Sequence, residues 1–265
     1  MLAPERPSRL EDAFYVGYLP APPVVVRRMR RLVVVLVSAA GLAAAVLGAS
    51  TGPFSPSLFE FATEREYQGA IETSPYPILL VRGDGRASPL GEIERIPLVA
   101  PGKHGADPLV AGSGAAPVHL RGKRIFREGR TMVEIVPGSI APASPAETAR
   151  TAGGPASRVE DLGSATLVGE IVDSKCFLGV MNPGQLEVHR ACAIRCISGG
   201  IPPMLFVRDA LGRVAHLLLV SSSGEKVNRD VLDLVARPVR ITGRLERRDD
   251  LFYLYADPGT YERVR

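Results

Sequence analysis

Three cysteines and one histidine are the side chains of this sequence best suited to chemistry. Cys176 ends the run Val-Asp-Ser-Lys-Cys, and the segment Val-His-Arg-Ala-Cys-Ala-Ile-Arg-Cys holds His189, Cys192 and Cys196. The last three are spaced i, i+3 and i+7, which on a helix places them along one face. With Cys176 brought in from a strand end, three thiolates and an imidazole make a Cys3His set suited to zinc, and soft thiolates equally suit copper(I). Two other readings stand beside this one. A disulfide from Cys176 to Cys192 or to Cys196 would staple a helix onto a small barrel and leave one thiol over. A redox pair of Cys192 with Cys196 is the third, although i, i+4 positions on a regular helix hold Cα atoms near the upper limit for a disulfide. The odd cysteine keeps the metal reading open.

Other motifs add little chemistry. There is no G-x-S-x-G, H-E-x-x-H or G-x-G-x-x-G, no C-x-x-C-H for covalent haem, and no spacing that singles out an acid/base pair. The chain is therefore not expected to be an enzyme. Lys103 and His104 lie in the Gly-bounded loop Pro101 to Asp107, which lacks P-loop spacing and reads as an exposed turn. His119 and His216 sit in alternating, strand-like runs and read as surface or rim residues.

An internal repeat shows which elements must position the cysteines. Pro117-Val-His-Leu-Arg-Gly-Lys-Arg-Ile-Phe-Arg127 matches Pro238-Val-Arg-Ile-Thr-Gly-Arg-Leu-Glu-Arg-Arg248 in the pattern P-V-x-[LI]-x-G-[KR]. Each copy runs into an alternating tail, and each is preceded by a Gly-containing alternating segment, Tyr67 to Val81 and Leu167 to Val180. Period-two alternation punctuated by Gly and Pro predicts short antiparallel strands. The expected architecture is mainly β: a single N-terminal transmembrane helix followed by two tandem small OB-like β-barrel domains, at 54–140 and 165–265. An Ala/Pro/Gly/Ser-rich linker at 141–163 separates them. Gly199 and Gly200 should stop the cysteine-bearing helix ahead of a Pro pair.

The segment GEIVDSKCFLG…HRACAIRCISGGIPP resembles a pattern in small bacterial OB-like domains of extracytoplasmic proteins. In those domains an I-x-D-x-x-C strand is followed by C-x3-C-x-x-G. The resemblance covers roughly the C-terminal hundred residues. It carries over to Asp173, Cys176, Cys192, Cys196 and Gly199, and implies fold and location rather than an activity.

Charge and hydropathy place the chain at a membrane. The net charge of +4 comes largely from local clusters such as Arg27, Arg28, Arg30 and Arg31. That cluster abuts an uncharged run from Leu32 to Ser50, long enough to cross a hydrocarbon core as a helix. Arg-rich flanks stay inside, so residues 1–31 are expected in the cytoplasm and the barrels in the periplasm of a bacterial inner membrane. A cleaved signal peptide is the alternative, but both leader and apolar run exceed its usual lengths. Phe14, Tyr15 and Tyr18, followed by Pro20, Pro22 and Pro23, suggest an extended segment that docks at a partner or at the interface. No basic stripe with interleaved aromatics occurs, so nucleic acid is not expected.

Together these features predict a non-catalytic accessory subunit of a membrane protein complex, such as an electron-transfer complex. Its expected partners are lipid, through residues 32–50, and the other subunits of that complex. The alternative is a periplasmic metal-handling or thiol-redox protein that works through Cys176, His189, Cys192 and Cys196, with zinc or copper as cofactor.

Overall fold

The structure, a computed structural model, describes residues 21–50, 57–82, 93–113, 116–144 and 157–264. The aromatic segment around Phe14 and Tyr18 lies outside them. The chain divides into two compact units, Met1–Phe54 and Ser55–Arg265.

The first unit contains helix α1 (Pro23–Ser50). A proline at the first helical position loses no hydrogen bond and presets φ. The helix therefore opens ahead of the apolar run, and the four arginines lie on its first turns. Within Pro23–Ala49, an 18-residue window has a mean hydropathy of 2.5 and none of it is buried. It is long and apolar enough to cross a membrane.

The second unit is built from two closed five-stranded barrels of the same OB-like topology. In the first, β2 (Arg65–Glu72), β3 (Ile78–Arg82) and β4 (Ile93–Val99) form an antiparallel meander. β4 then pairs in parallel with β6 (Arg130–Ile135), and β5 (Pro117–Arg127) closes the barrel between β6 and β2. Two short strands, β1 (Ser57–Phe59) and β7 (Ala141–Pro142), add to β5. A single helical turn, α2 (Asp107–Val110), lies between β4 and β5.

The second barrel repeats the plan with β8 (Val159–Asp173), β9 (Pro203–Arg208), β10 (Val214–Val220), β11 (Pro238–Arg248) and β12 (Leu251–Tyr255). β10 and β12 are the parallel pair, and β11 closes the barrel against β8. A short β13 (Glu262–Arg263) extends β11. β7 and the start of β8 both fall within 141–163, and residues 145–156 are outside the described set.

The repeat seen in the sequence is thus the fourth barrel strand, β5 and β11, in both domains. The glycines of its partner strand are equally explicable. A Cβ on Gly69 would lie 2.1 Å from the Leu80 carbonyl oxygen, and one on Gly169 would lie 2.4 Å from that of Phe206. The first and second strands approach too closely there for any side chain.

Strand alternation fills three apolar clusters. Leu79, Ile96 and Leu98 point into the first barrel with Val133 and Ile135. Leu205, Leu217, Leu219 and Leu254 fill the second. The intervening residues of the same strands, among them Ile78, Val99, Leu218, Val220 and Tyr253, meet in a third cluster shared by both barrels. These strands are apolar on both faces because both faces are buried. Tyr76, fully buried, donates its hydroxyl hydrogen to the Leu219 carbonyl across the seam at 2.9 Å. Each large side chain buried in this shared layer contributes about 1.5–3 kcal/mol, so the barrels are fused through a core.

The cysteine-bearing insertion joins β8 to β9. It consists of a π-helical turn Cys176–Val180, a 3-10 turn Glu187–His189 and helix α3 (Arg190–Ser198).

Candidate metal centre

Each cysteine is placed by a different local cause. Cys176 opens the turn that follows β8, and its amide N–H donates to Asp173 Oδ1 at 2.8 Å. Cys192 and Cys196 sit one turn apart on α3. That helix stops as expected. Gly200 takes φ +100°, while the Gly200 and Ile201 amides donate to the carbonyls of Ile197 and Cys196. Asn228 Nδ2 donates to the Ile197 and Ile201 carbonyls at 2.8 and 2.9 Å, which holds the helix end to the second barrel.

The three sulfurs converge. Cys176 Sγ lies 3.9 Å from both Cys192 Sγ and Cys196 Sγ, and all three fall within 4.8 Å of one another. All are free thiols. For metal–sulfur bonds of ~2.3 Å, the edge of a tetrahedron is roughly 3.8 Å. The two separations from Cys176 match that edge, and the third sulfur pair lies within 4.8 Å, so the group is compact enough for three thiolates to meet one ion. Cys176 and Cys196 are buried and Cys192 is half-buried, so the group opens to solvent on the Cys192 side.

His189 takes a different position from its companions on the sequence. It ends the 3-10 turn before α3, and its Nε2 lies 3.0 Å from Asp173 Oδ2, with both side chains buried. Asp173, Cys176 and His189 form a second group of close donor atoms that shares Cys176 with the trio. The structure brings the three cysteines together, and places a His189 nitrogen within 4.8 Å of Cys176 Sγ and of an Asp173 oxygen. This follows from a change of winding: the i, i+3, i+7 relation assumes one regular helix, and the chain enters α3 from a tighter turn.

A lysine completes the surroundings. Lys103 Nζ, from the loop between β4 and β5 of the first barrel, lies 2.7 Å from Cys192 Sγ and 3.7 Å from Cys196 Sγ. The loop read as an ordinary turn therefore reaches the site. It is held there by Lys175, whose ammonium donates to the Ala100 and Gly102 carbonyls at 2.8 and 2.7 Å and pairs with Glu134 at 2.6 Å. It is also held by the Gly105 amide, which donates to the Gly199 carbonyl at 2.9 Å. The only trace of this in the sequence was the pair of glycines bracketing Lys103 and His104.

The local charges sort the thiols. The hydrogen bond shared with Cys196, together with burial, pushes the Cys176 thiol well above its ordinary range. The hydrogen bond from Cys176 draws Cys196 down, helped by the charge of Lys103. The bond to Cys192 raises Lys103.

Comparison with protein-family models, with curated proteins and with solved structures finds no match for this chain. Its chemistry is read from the site alone.

Of the remaining histidines, His119 is half-buried on β5. His216 differs from the expected rim position. It is buried on β10, with ring centres 5.5 Å from Phe177 and 5.7 Å from Phe206, and its Nε2 is 3.1 Å from Glu128 Oε2. It faces the shared layer between the barrels, which single-strand alternation does not reveal.

Proposed function

We propose that this protein is a membrane-anchored, periplasmic carrier of a thiophilic metal ion, zinc or copper(I), held by Cys176, Cys192 and Cys196. The observation that carries this reading is the convergence of three sulfurs, two edges at 3.9 Å and all within 4.8 Å, assembled from a strand end and a helix. Three thiolates are soft donors, the choice of zinc and copper(I) over magnesium or calcium. The half-buried Cys192 leaves one side open, the arrangement by which a site exchanges its ion. The Arg-rich start of α1 supports an orientation with the N-terminus in the cytoplasm and the barrels outside a bacterial inner membrane.

The test is metal analysis of the full-length protein extracted in mild detergent without chelators. The expected result is close to one zinc or copper per chain, with thiols that alkylate only after the metal is stripped. Failure of the reduced protein to take up either ion at micromolar concentration overturns the reading.

A second reading, a non-catalytic accessory subunit of a membrane complex such as an electron-transfer complex, is favoured by the outer face of the insertion. Val188 is 80% exposed and Leu186 53%, so apolar side chains of the cysteine segment face solvent. Native purification tests it: partner chains should co-purify and should be lost when Leu186 and Val188 are changed to Ser.

A further inference from the structure

We propose that Lys103 and Cys192 form a covalent N–O–S bridge, an oxidative cross-link that joins the first barrel to helix α3 of the second. The Nζ to Sγ distance is 2.7 Å. That is the span of an ordinary N–H···O hydrogen bond. Sulfur is a larger atom than oxygen and keeps a hydrogen-bonded nitrogen farther away. The separation is too long for a direct N–S bond, and it suits two single bonds meeting at one oxygen atom.

The surroundings fix the pair in place. Lysine on a surface loop normally samples many rotamers, and holding it costs entropy. Here the loop backbone is pinned on both sides of Lys103, by Lys175 at Ala100 and Gly102 and by Gly199 at Gly105. An ion pair between Asp107 and Lys226 adds a third anchor. A Cβ on Gly199 would lie 1.9 Å from the Lys103 carbonyl oxygen, so the glycine is what lets α3 and the loop touch. Access selects the partner. Lys103 is exposed and Cys192 half-buried, whereas Cys176 and Cys196 are 4% and 1% exposed. Cys196 is also farther from the amine, at 3.7 Å.

The oxidant is dioxygen. Two hydrogens leave the Lys103–Cys192 pair from Nζ and Sγ, and N–O and O–S bonds form. The O–O bond is cleaved, one oxygen entering the bridge and the other leaving as water with the two hydrogens. Nitrogen and sulfur each lose two electrons, and the two oxygen atoms together gain four. Two molecules of a dithiol reverse the reaction, returning amine, thiol and a second water. The step does not depend on metal binding. It removes Cys192 from the sulfur triangle, so a bridged chain holds only two of the three thiolates.

The experiment uses the full chain in detergent, stripped with chelator, and compares air-exposed with anaerobic samples by peptide mass mapping. The expected product is a linked pair of peptides carrying Lys103 and Cys192, with a mass equal to their sum plus one oxygen minus two hydrogens. Dithiothreitol should separate it into the two free peptides. Lys103→Arg should abolish the link while leaving the fold intact by circular dichroism. Wild-type protein should also show a higher melting temperature in air than after reduction, a difference the variant lacks. The proposal is overturned if air-exposed wild-type protein shows Lys103 unlinked, with Cys192 either free or joined only to Cys176 or Cys196. Metal content is measured on the reduced sample, so the fate of the metal reading is scored separately.

Discussion

One buried carboxylate ties the histidine to the sulfur site: Asp173 lies 3.0 Å from His189 Nε2 through Oδ2 and accepts the Cys176 amide through Oδ1 at 2.8 Å. Groups that orient a ligand from behind tune a metal site without binding the ion, and their loss typically lowers affinity 10–100-fold. Asp173→Ala is accordingly expected to weaken metal binding about 10–100-fold while stoichiometry is preserved at saturation. Cys176→Ser or Cys196→Ser should abolish it. Competition titration against a calibrated chelator separates these outcomes, and equal loss in all three variants would contradict a supporting role for Asp173.

His216 makes stability depend on pH. Burial lowers its pKa to about 4, with Glu128 partly opposing the shift. In the unfolded chain the imidazole protonates near 6.5. Folded His216 stays neutral in that interval, so the unfolded state binds the extra proton. Stability from this residue is full above pH ~6.5 and falls by about 1.4 kcal/mol per unit as pH drops towards 4. Denaturant melts of wild type and His216→Phe between pH 7 and 4 should diverge, with the variant losing less. Parallel curves would show that the histidine is not neutral in the fold.

The barrels are also bolted at the other end of their seam. Arg95 Nε bonds Asp249 Oδ2 at 2.8 Å and Nη1 bonds Glu72 at 2.6 Å, while the Arg95 amide donates to Asp250 Oδ1 at 2.9 Å. The Arg95 and Asp249 side chains are 4% and 3% exposed. Removing one partner of a buried pair leaves the other charge uncompensated, at a cost of about 3–5 kcal/mol. Arg95→Ala should lower the unfolding free energy from denaturant melts by that amount, and a loss below about 1 kcal/mol would refute the assignment.

Gly105 tests the loop that carries Lys103. A Cβ there would lie 2.3 Å from the Gly200 carbonyl oxygen, a backbone atom that cannot turn aside. Gly105→Ala should cost about 1–3 kcal/mol as an overpacked contact and lift the loop from α3. Alkylation of Cys192 should then quicken, while Cys196, buried beneath it, stays protected.

Much of this protein was readable along the chain, and the reason is that the readable parts are local. An uncharged run of membrane length makes a helix whatever follows it, although the run marked a start at Leu32 and the helix opens at Pro23, in the segment read as extended. Period-two alternation and the P-V-x-[LI]-x-G pattern specified β5 and β11, and through them two barrels of one topology, because side-chain period and strand coiling are properties of a single element. The pairing of Cys192 with Cys196 on one face followed in the same way from helical spacing.

Packing of the barrels decided the rest. The shared cluster of Tyr76, Val99, Leu218 and Tyr253 makes one unit of two domains, and it buries His216 where strand alternation alone suggested a rim. His189 turned to Asp173 because the chain enters α3 through a tighter turn than the helix that its spacing presumed. Lys103 meets Cys192 across 89 positions, a contact that exists only because β4 and α3 are held against each other by a core. Periodicity records which face of an element is apolar. It carries no record of what that face meets, and the candidate site of this protein is made where two such faces meet.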